Sequence, residues 1–312
     1  MSRYSTTRSV LFFCQPSSQF IWTSGVGSSS EINTKEDPEL MEIAFVQCKE
    51  NFATRGTAIA EVRQMVFERG ECQPIRTDDD FLLRFLRARK FVVPRAHRLL
   101  VRYCAFREQY KHLYEGVDLW GLMKVKDAYE GTIWDRPDIG RLSVFRFGRW
   151  DPNEFPVEDL VRAGMAIAEI GGRQPKLQIL GGTVIIDLEG LSLRHVATLT
   201  PSIAYQIVCL MGVSSMPVRP RSVHFINYSW MLNTFFYIFK RFIPQEAWEY
   251  IHFHGNDLKS LQKHIDLECL PPRYGGTCRT SSSFGLWLKK IKKYRDEQFD
   301  KEMKQLGYVI KE

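Results

Sequence analysis

Apolar residues recur at helical spacing through the first third of the chain. Ile43, Val46, Ile59, Val62 and Val66 predict one or two helices between residues 31 and 73. A stronger signal follows. Thr77 and Asp78 are cap candidates, and the acids at 78–80 suit the positive end of a helix dipole. The body, FLLRFLRARKF at 81–91, sets Phe81, Leu82, Phe85 and Leu86 on one face. Pro94 opens the next helix, which runs to Tyr110 with Leu99, Leu100, Tyr103 and Phe106 inward. After Gly121 the texture changes. Residues 142–147 alternate as a strand that ends at Gly148 and the Trp150-Asp151-Pro152 corner. A helix over 157–170 leads into a loop with Gly171, Gly172 and Pro175. The β-branched run 183–187 reads as a buried strand, 223–226 as a third and 251–253 as a fourth. Pro201 begins another helix, and 257–264 a further one. Strands alternating with helices predict an α/β domain on a mostly parallel sheet. Residues 284–309 read as one lysine-rich amphipathic helix.

The segment 230–243, WMLNTFFYIFKRFI, stands apart. It is shorter than the ~20 apolar residues a membrane span needs. It is too aromatic for a solvent-facing helix, so it fills a core or covers something greasy. Lys240 and Arg241 suit a helix that lies on an anionic membrane.

Composition narrows the field. A 44% hydrophobic and 25% charged chain of 312 residues has material for a sizeable core, in one large domain or two smaller ones. A net charge of +7 favours phosphates, anionic lipid or nucleic acid as partners. Nucleic acid is disfavoured, because the aromatics lie in apolar runs and do not interleave with basic residues. Cys14, Cys48, Cys72, Cys104, Cys209, Cys269 and Cys278 are odd in number and lack CxxC spacing, which points to reduced thiols inside a cell. The first thirty residues hold no acid. They read as a disordered tail or as a transit peptide, the latter interrupted by Pro16, Gly25 and Gly27. The expected divisions are a tail at 1–39, a helical lobe at 40–115, an α/β domain at 116–280 and a C-terminal helix at 281–312.

Four constellations could carry chemistry. At about 100° per residue, Arg84 and Arg87 project roughly 300° and 240° round from Phe81, away from the apolar face, and Arg89 roughly 80°, within it. Arg89 therefore needs an ion-pair partner or a phosphate. Arg219 and Arg221, two apart in an extended segment, can aim two guanidinium forks at a phosphate or simply face solvent. Asp187 and Glu189 follow a buried strand and could form a catalytic pair. No GxSxG elbow, Walker loop or GxGxxG fingerprint accompanies them, so pairing with arginines is the better reading. His252 and His254 share a strand face, with His224 and His264 as distant companions. A structural role fits them better than a metal, which wants a further ligand at a defined place.

DDDFLLRFLRARKF (78–91), GRWDP (148–152), IIDLEG (185–190), PVRPRSVHFIN (217–227), IHFHGND (251–257) and PPRYGG (271–276) form an ordered set. Over residues 40–280 it resembles the CRAL-TRIO lipid-transfer family, and most of all its tocopherol- and retinaldehyde-binding members. The resemblance implies a helical N-terminal lobe packed on an α/β domain with a hydrophobic cavity, closed by a lid helix at 229–243. It implies a lipid site drawn from Ile186, Ile203, Ile207, Leu210, Val218, Val223, Phe225, Phe235, Phe236 and Phe239. Arg87, Arg219 and Arg221 match positions at which tocopherol-type members hold phosphoinositide head groups, while Glu246 and Tyr250 fall where further basic residues are expected; Lys240 and Arg241 could compensate. The implied protein is no enzyme. It needs no cofactor beyond its bound lipid, and it is a cytoplasmic monomer, peripheral to endosomal or other intracellular membranes. A non-transferring scaffold on the same fold, and a lipid- or phosphate-processing enzyme, are the alternatives.

Overall fold

The computed structural model describes residues 32–36, 38–136, 140–211, 214–228 and 232–312, with the backbone alone for 132–136 and 232–235. The expectations for residues 1–31, for 229–231 of the lid and for the Phe235 side chain lie outside the described part.

Four helices form the N-terminal lobe: α1 (Pro38–Cys48), α2 (Arg55–Arg69), α3 (Asp79–Ala88) and α4 (Val93–Gln109). Asp78 caps α3 by accepting from the Phe81 amide at 3.1 Å. The helix stops because Lys90 and Phe91 turn to φ of +52° and +56°. Arg84 and Arg87 correct the helical-wheel reading: every residue from Phe81 to Arg87 is buried. The face expected to meet solvent meets the α/β domain, and its two arginines enter as ion-pair members. Arg89 sits past the helix end and is only partly buried.

The sheet has six strands: β1 (Tyr129–Arg136), β2 (Gly140–Arg146), β3 (Gly182–Asp187), β4 (Pro220–Ile226), β5 (Ile251–Gly255) and β6 (Ser281–Ser283), in the order β5-β4-β3-β2-β1-β6. β2 to β5 run parallel, and β1 pairs antiparallel with both β2 and β6. Alternation splits the sheet faces. Leu142, Val144, Ile185 and Ile226 pack under α10 (Leu258–Gln262) and the segment carrying Ile265 to Tyr274. Phe145, Val184, Ile186, Val223 and Phe225 face the larger core, which includes α5 (Val157–Gly172) and α8 (Pro201–Leu210). Two short helices, α6 (Pro175–Leu180) and α7 (Leu193–Ala197), lie between these. α9 (Leu232–Lys240) falls on the expected lid and packs on α8.

The C-terminal segment differs from the single predicted helix. It supplies β6, then α11 (Phe284–Tyr294) and α12 (Glu297–Gln305). Arg295 takes extended backbone angles between them, and Asp296 caps α12 through the Phe299 amide at 2.7 Å. Phe299, Met303, Leu306 and Tyr308 then enter the main core.

Candidate binding cavity

A cavity of about 350 Å³ separates α5 and α8 from the inner face of the sheet. Its floor is Phe145, Val184 and Val223, and α8 adds Ile207 and Leu210. Its roof is the α5 face that repeats every four residues, Leu160-Gly164-Ala168 and Ala163-Ile167-Gly171. Small residues on that face keep the space open. A Cβ at Gly164 would sit 3.2 Å from Leu210 Cδ1, and one at Gly171 only 2.6 Å from Leu177 Cδ2. Tyr129 and Trp287 close one side. Arg141, Gln174 and Lys176 reach the cavity near the N-terminal ends of β2 and β3, where Arg141 Nη2 donates to Gln174 Oε1 at 2.9 Å.

Of the residues expected to hold a lipid, Ile207, Leu210, Val218 and Val223 line this space. Ile186, Ile203, Phe225 and Phe239 are buried in the surrounding core without being among its lining. Phe225 stacks on Phe253 at 5.1 Å, and the lid ring Phe236 meets Phe253 edge-on at 5.3 Å and Trp248 at 5.6 Å. Phe236 therefore seats α9 on β5. Tyr237, on the same helix, is 80% exposed. Sequence reasoning missed the α5 face, Phe145, Tyr129 and Trp287. The signal for α5 was available: glycine and alanine recurring at four-residue spacing inside an otherwise apolar helix.

The expected head-group cations separate into two kinds. Arg87 is 1% exposed. It donates to Glu50 at 2.8 and 3.0 Å, to Gln178 at 2.8 Å and to Glu36. Arg55 joins the same carboxylates at 2.8 and 3.2 Å. Such a network offers no free guanidinium face to an outside ligand. Arg219 and Arg221 are half-buried and close the C-terminal end of α6: Arg219 donates to the Ile179 carbonyl, and Arg221 to the Leu180 carbonyl at 2.6 Å. Lys240 and Arg241 are exposed, with Arg241 lying 4.8 Å over the Phe242 ring.

Two of the singled-out arginines, Arg89 and Arg219, act on Tyr250. Burial and the neighbouring charges of Arg102 and Arg95 lower the pKa of Arg89. A hydrogen bond to Glu249 and burial raise that of Tyr250, against the pull of Arg219 and Arg89. Cations thus gather around the position where the family pattern wanted a basic residue and this chain has tyrosine.

The remaining constellations have structural occupations. Asp187 is buried and accepts from Tyr274 at 2.6 Å, Asn227 at 2.9 Å and the Glu189 amide at 3.0 Å. It is a hub that ties three loops, not one half of a carboxylate pair. Ion pairs between lobes run instead through Glu169, which takes Arg107 at 2.9 Å, Arg84 at 3.3 Å and the Tyr103 hydroxyl at 2.6 Å. His224 and His264 are not distant from His252 and His254 in space: the four rings form one cluster. Among the described residues no group of three or more His, Cys, Asp or Glu is arranged to hold a metal. None of the six described cysteines is in a disulfide. No helix among the described residues is long and apolar enough to cross a membrane.

Comparison with known proteins bears on what such a cavity is for. The family model for the CRAL/TRIO domain matches residues 137–276, and that for the CRAL/TRIO N-terminal domain residues 48–102. Clavesin-1 of Xenopus laevis is 33% identical over 268 residues, covering 84% of this chain and 80% of its own length. Clavesin-2 of Homo sapiens is 32% identical over the same coverage, 84% and 80%. The crystal structure of Sfh5 superposes with a TM-score of 0.50 at 12% identity, over 79% of this chain and 99% of that one, which is a likeness of fold.

Proposed function

The chain belongs to the CRAL-TRIO lipid-binding family, and from that membership and the cavity we propose that it carries one hydrophobic molecule between membranes. The observation that carries the reading is the apolar chamber between α5, α8 and the sheet, with an aromatic helix, α9, packed on α8. Its volume falls in the range of single small-ligand pockets. A lipid of ~20 carbons gains on the order of 15 kcal/mol on leaving water, at ~0.8 kcal/mol per CH₂, so unaided transfer is slow. A lid that can exchange its contact with cargo for contact with acyl chains makes release favourable only at a bilayer.

Docking belongs to the same proposal. Lys240 and Arg241 at the end of α9, with Arg89 and Arg219 at Tyr250 and with Arg95 and Arg102 at Arg89, form the surface that meets anionic lipid, phosphoinositides included. Arg87 supports that surface from inside the lobe. The working place is then the cytoplasmic face of intracellular membranes. Tocopherol, retinoid and phospholipid are the cargo classes to test first.

The purified protein is extracted with organic solvent and the extract read by mass spectrometry, then the protein is challenged with tocopherol, retinoid and phospholipid panels. A stoichiometric hydrophobic species is expected, with Ile207→Trp abolishing its uptake because the indole fills the chamber. No bound species from any source, or unchanged uptake in Ile207→Trp, overturns the proposal.

A further inference from the structure

Four of the chain's seven histidines meet on the sheet face opposite the cavity. Register sets His224 of β4 directly beside His252 of β5. His254 follows two residues on, and His264 approaches from the end of α10. Ring centroids lie 4.9 Å apart for His224–His252, 5.2 Å for His224–His254, 4.5 Å for His252–His264 and 5.4 Å for His254–His264. A hydrogen-bonded chain runs through the middle: Ser222 Oγ to His224 Nε2 at 2.8 Å, His224 Nδ1 to His254 Nε2 at 2.9 Å, His254 Nδ1 to Ser260 Oγ at 2.8 Å.

That chain works only with few protons. The His224–His254 bond needs one nitrogen to donate and the other to accept. If both rings are charged, two N–H groups face each other and the bond is lost. His224 is fully buried, so a charge there also lacks solvent. Burial first, then the three neighbouring rings, pushes its pKa down to about 3; burial and His264 lower those of His252 and His254. Asp257, in the turn before α10, is the carboxylate that pulls the other way, and it acts on His254. Its Oδ1 is already engaged by the Lys259 and Ser260 amides. From β3 the cluster meets the Thr183 hydroxyl, on Ser222.

β5 is the strand that converts this into motion. It is five residues long, lies at the sheet edge and has one strand neighbour. Its side chains alternate: His252 and His254 face the cluster, and Phe253 between them carries Phe225, Tyr228 and the lid ring Phe236. We infer that the four-histidine cluster is an acid-sensitive latch, in which protons taken up on one face of β5 loosen the seat of the lid on the other. The sign follows from linkage. The unfolded or opened strand binds more protons than the closed one below a pH of about 6.5, so closure weakens as pH falls through and beyond that value and is unaffected by a rise above neutrality. An effect on cargo rests on the carrier reading above; the latch itself does not.

Amide hydrogen exchange of β5, corrected for the intrinsic pH dependence, is compared at pH 7.5 and 5.5 in the full chain. Wild type is expected to show a rise of at least about tenfold on acidification, the factor worth one unit of pKa displacement. His252→Gln/His254→Gln, whose amides keep hydrogen-bonding capacity without the charge, is expected to show a clearly smaller rise than wild type, the remainder coming from buried His224, which still takes up a proton on opening. His264→Gln, an exposed substitution, is expected to give a smaller rise than wild type and serves if the double variant does not fold. A flat wild type, or variants that respond like it, overturns the latch. Retention of the tocopherol, retinoid and phospholipid panels, followed in parallel, separates the two readings: no retention of any of them at pH 7.5 with an acid-responsive β5 sinks the carrier and keeps the latch, whereas retention with an unresponsive β5 does the reverse.

Discussion

Gly148 and Gly190 meet where the turn after β2 crosses the turn after β3. A Cβ on Gly148 would lie 2.0 Å from the Glu189 carbonyl oxygen and 2.6 Å from the Gly190 carbonyl carbon, and Gly190 itself sits at φ +79°. No flexible side chain stands there to give way; the obstacle is backbone. Gly148→Ala is therefore expected to cost roughly 1–3 kcal/mol of stability, in the manner of an overpacked core, read as a lower urea midpoint at unchanged slope. The GRWDP and IIDLEG motifs were visible in the chain as separate turn signals. Their contact was not, because nothing local in either motif records which other turn it must pass.

At the scale of elements, α3 shows what a sequence pattern can and cannot say. Its existence and start were legible from Asp78 and the apolar spacing after it. Which faces it buries was not, since α3 is clasped by its own lobe and by the α/β domain together, and an arginine on a buried second face looks like a solvated one until its partners are known. Arg87 joins α3 to the loop after α1 through Glu50 and to α6 through Gln178. Removing one partner of a buried ion pair strands the other charge. Arg87→Ala is expected to destabilise the chain by about 3–5 kcal/mol in chemical denaturation. Loss of lipid binding without loss of stability would return Arg87 to a head-group role. β1 and β6 escaped prediction for a different reason. YEGTIWDR mixes glycine and charge with apolar residues, and SSS has no apolar residue at all, so neither carries a period-2 hydrophobic signature.

Across the whole molecule, the apolar chamber and the cationic surface are built from residues far apart in sequence. The fold class, and a separate aromatic segment at 230–243 on which α9 (Leu232–Lys240) falls, could be read from the chain. The chamber's roof, the approach of Arg89 and Arg219 to Tyr250, and the meeting of His224 with His252, His254 and His264 could not, because each depends on strand register or on helices packing across lobes. If the lid docks through its basic end, Lys240→Glu/Arg241→Glu should weaken flotation with vesicles containing anionic lipid by tenfold or more at low salt, and the difference should shrink as ionic strength rises. Equal flotation of wild type and variant would remove the lid from the docking surface.

One further consequence belongs to β6. The last segment of the chain extends the sheet beyond β1, sends Trp287 to the chamber wall and returns Val309 beside Asp118. The container is thus finished by a part of the polypeptide made only after its floor and its roof. Until residues past 281 have emerged, a nascent chain has the floor and roof of its vessel but lacks one side, and an oily guest acquired during synthesis would have nothing there to keep it in.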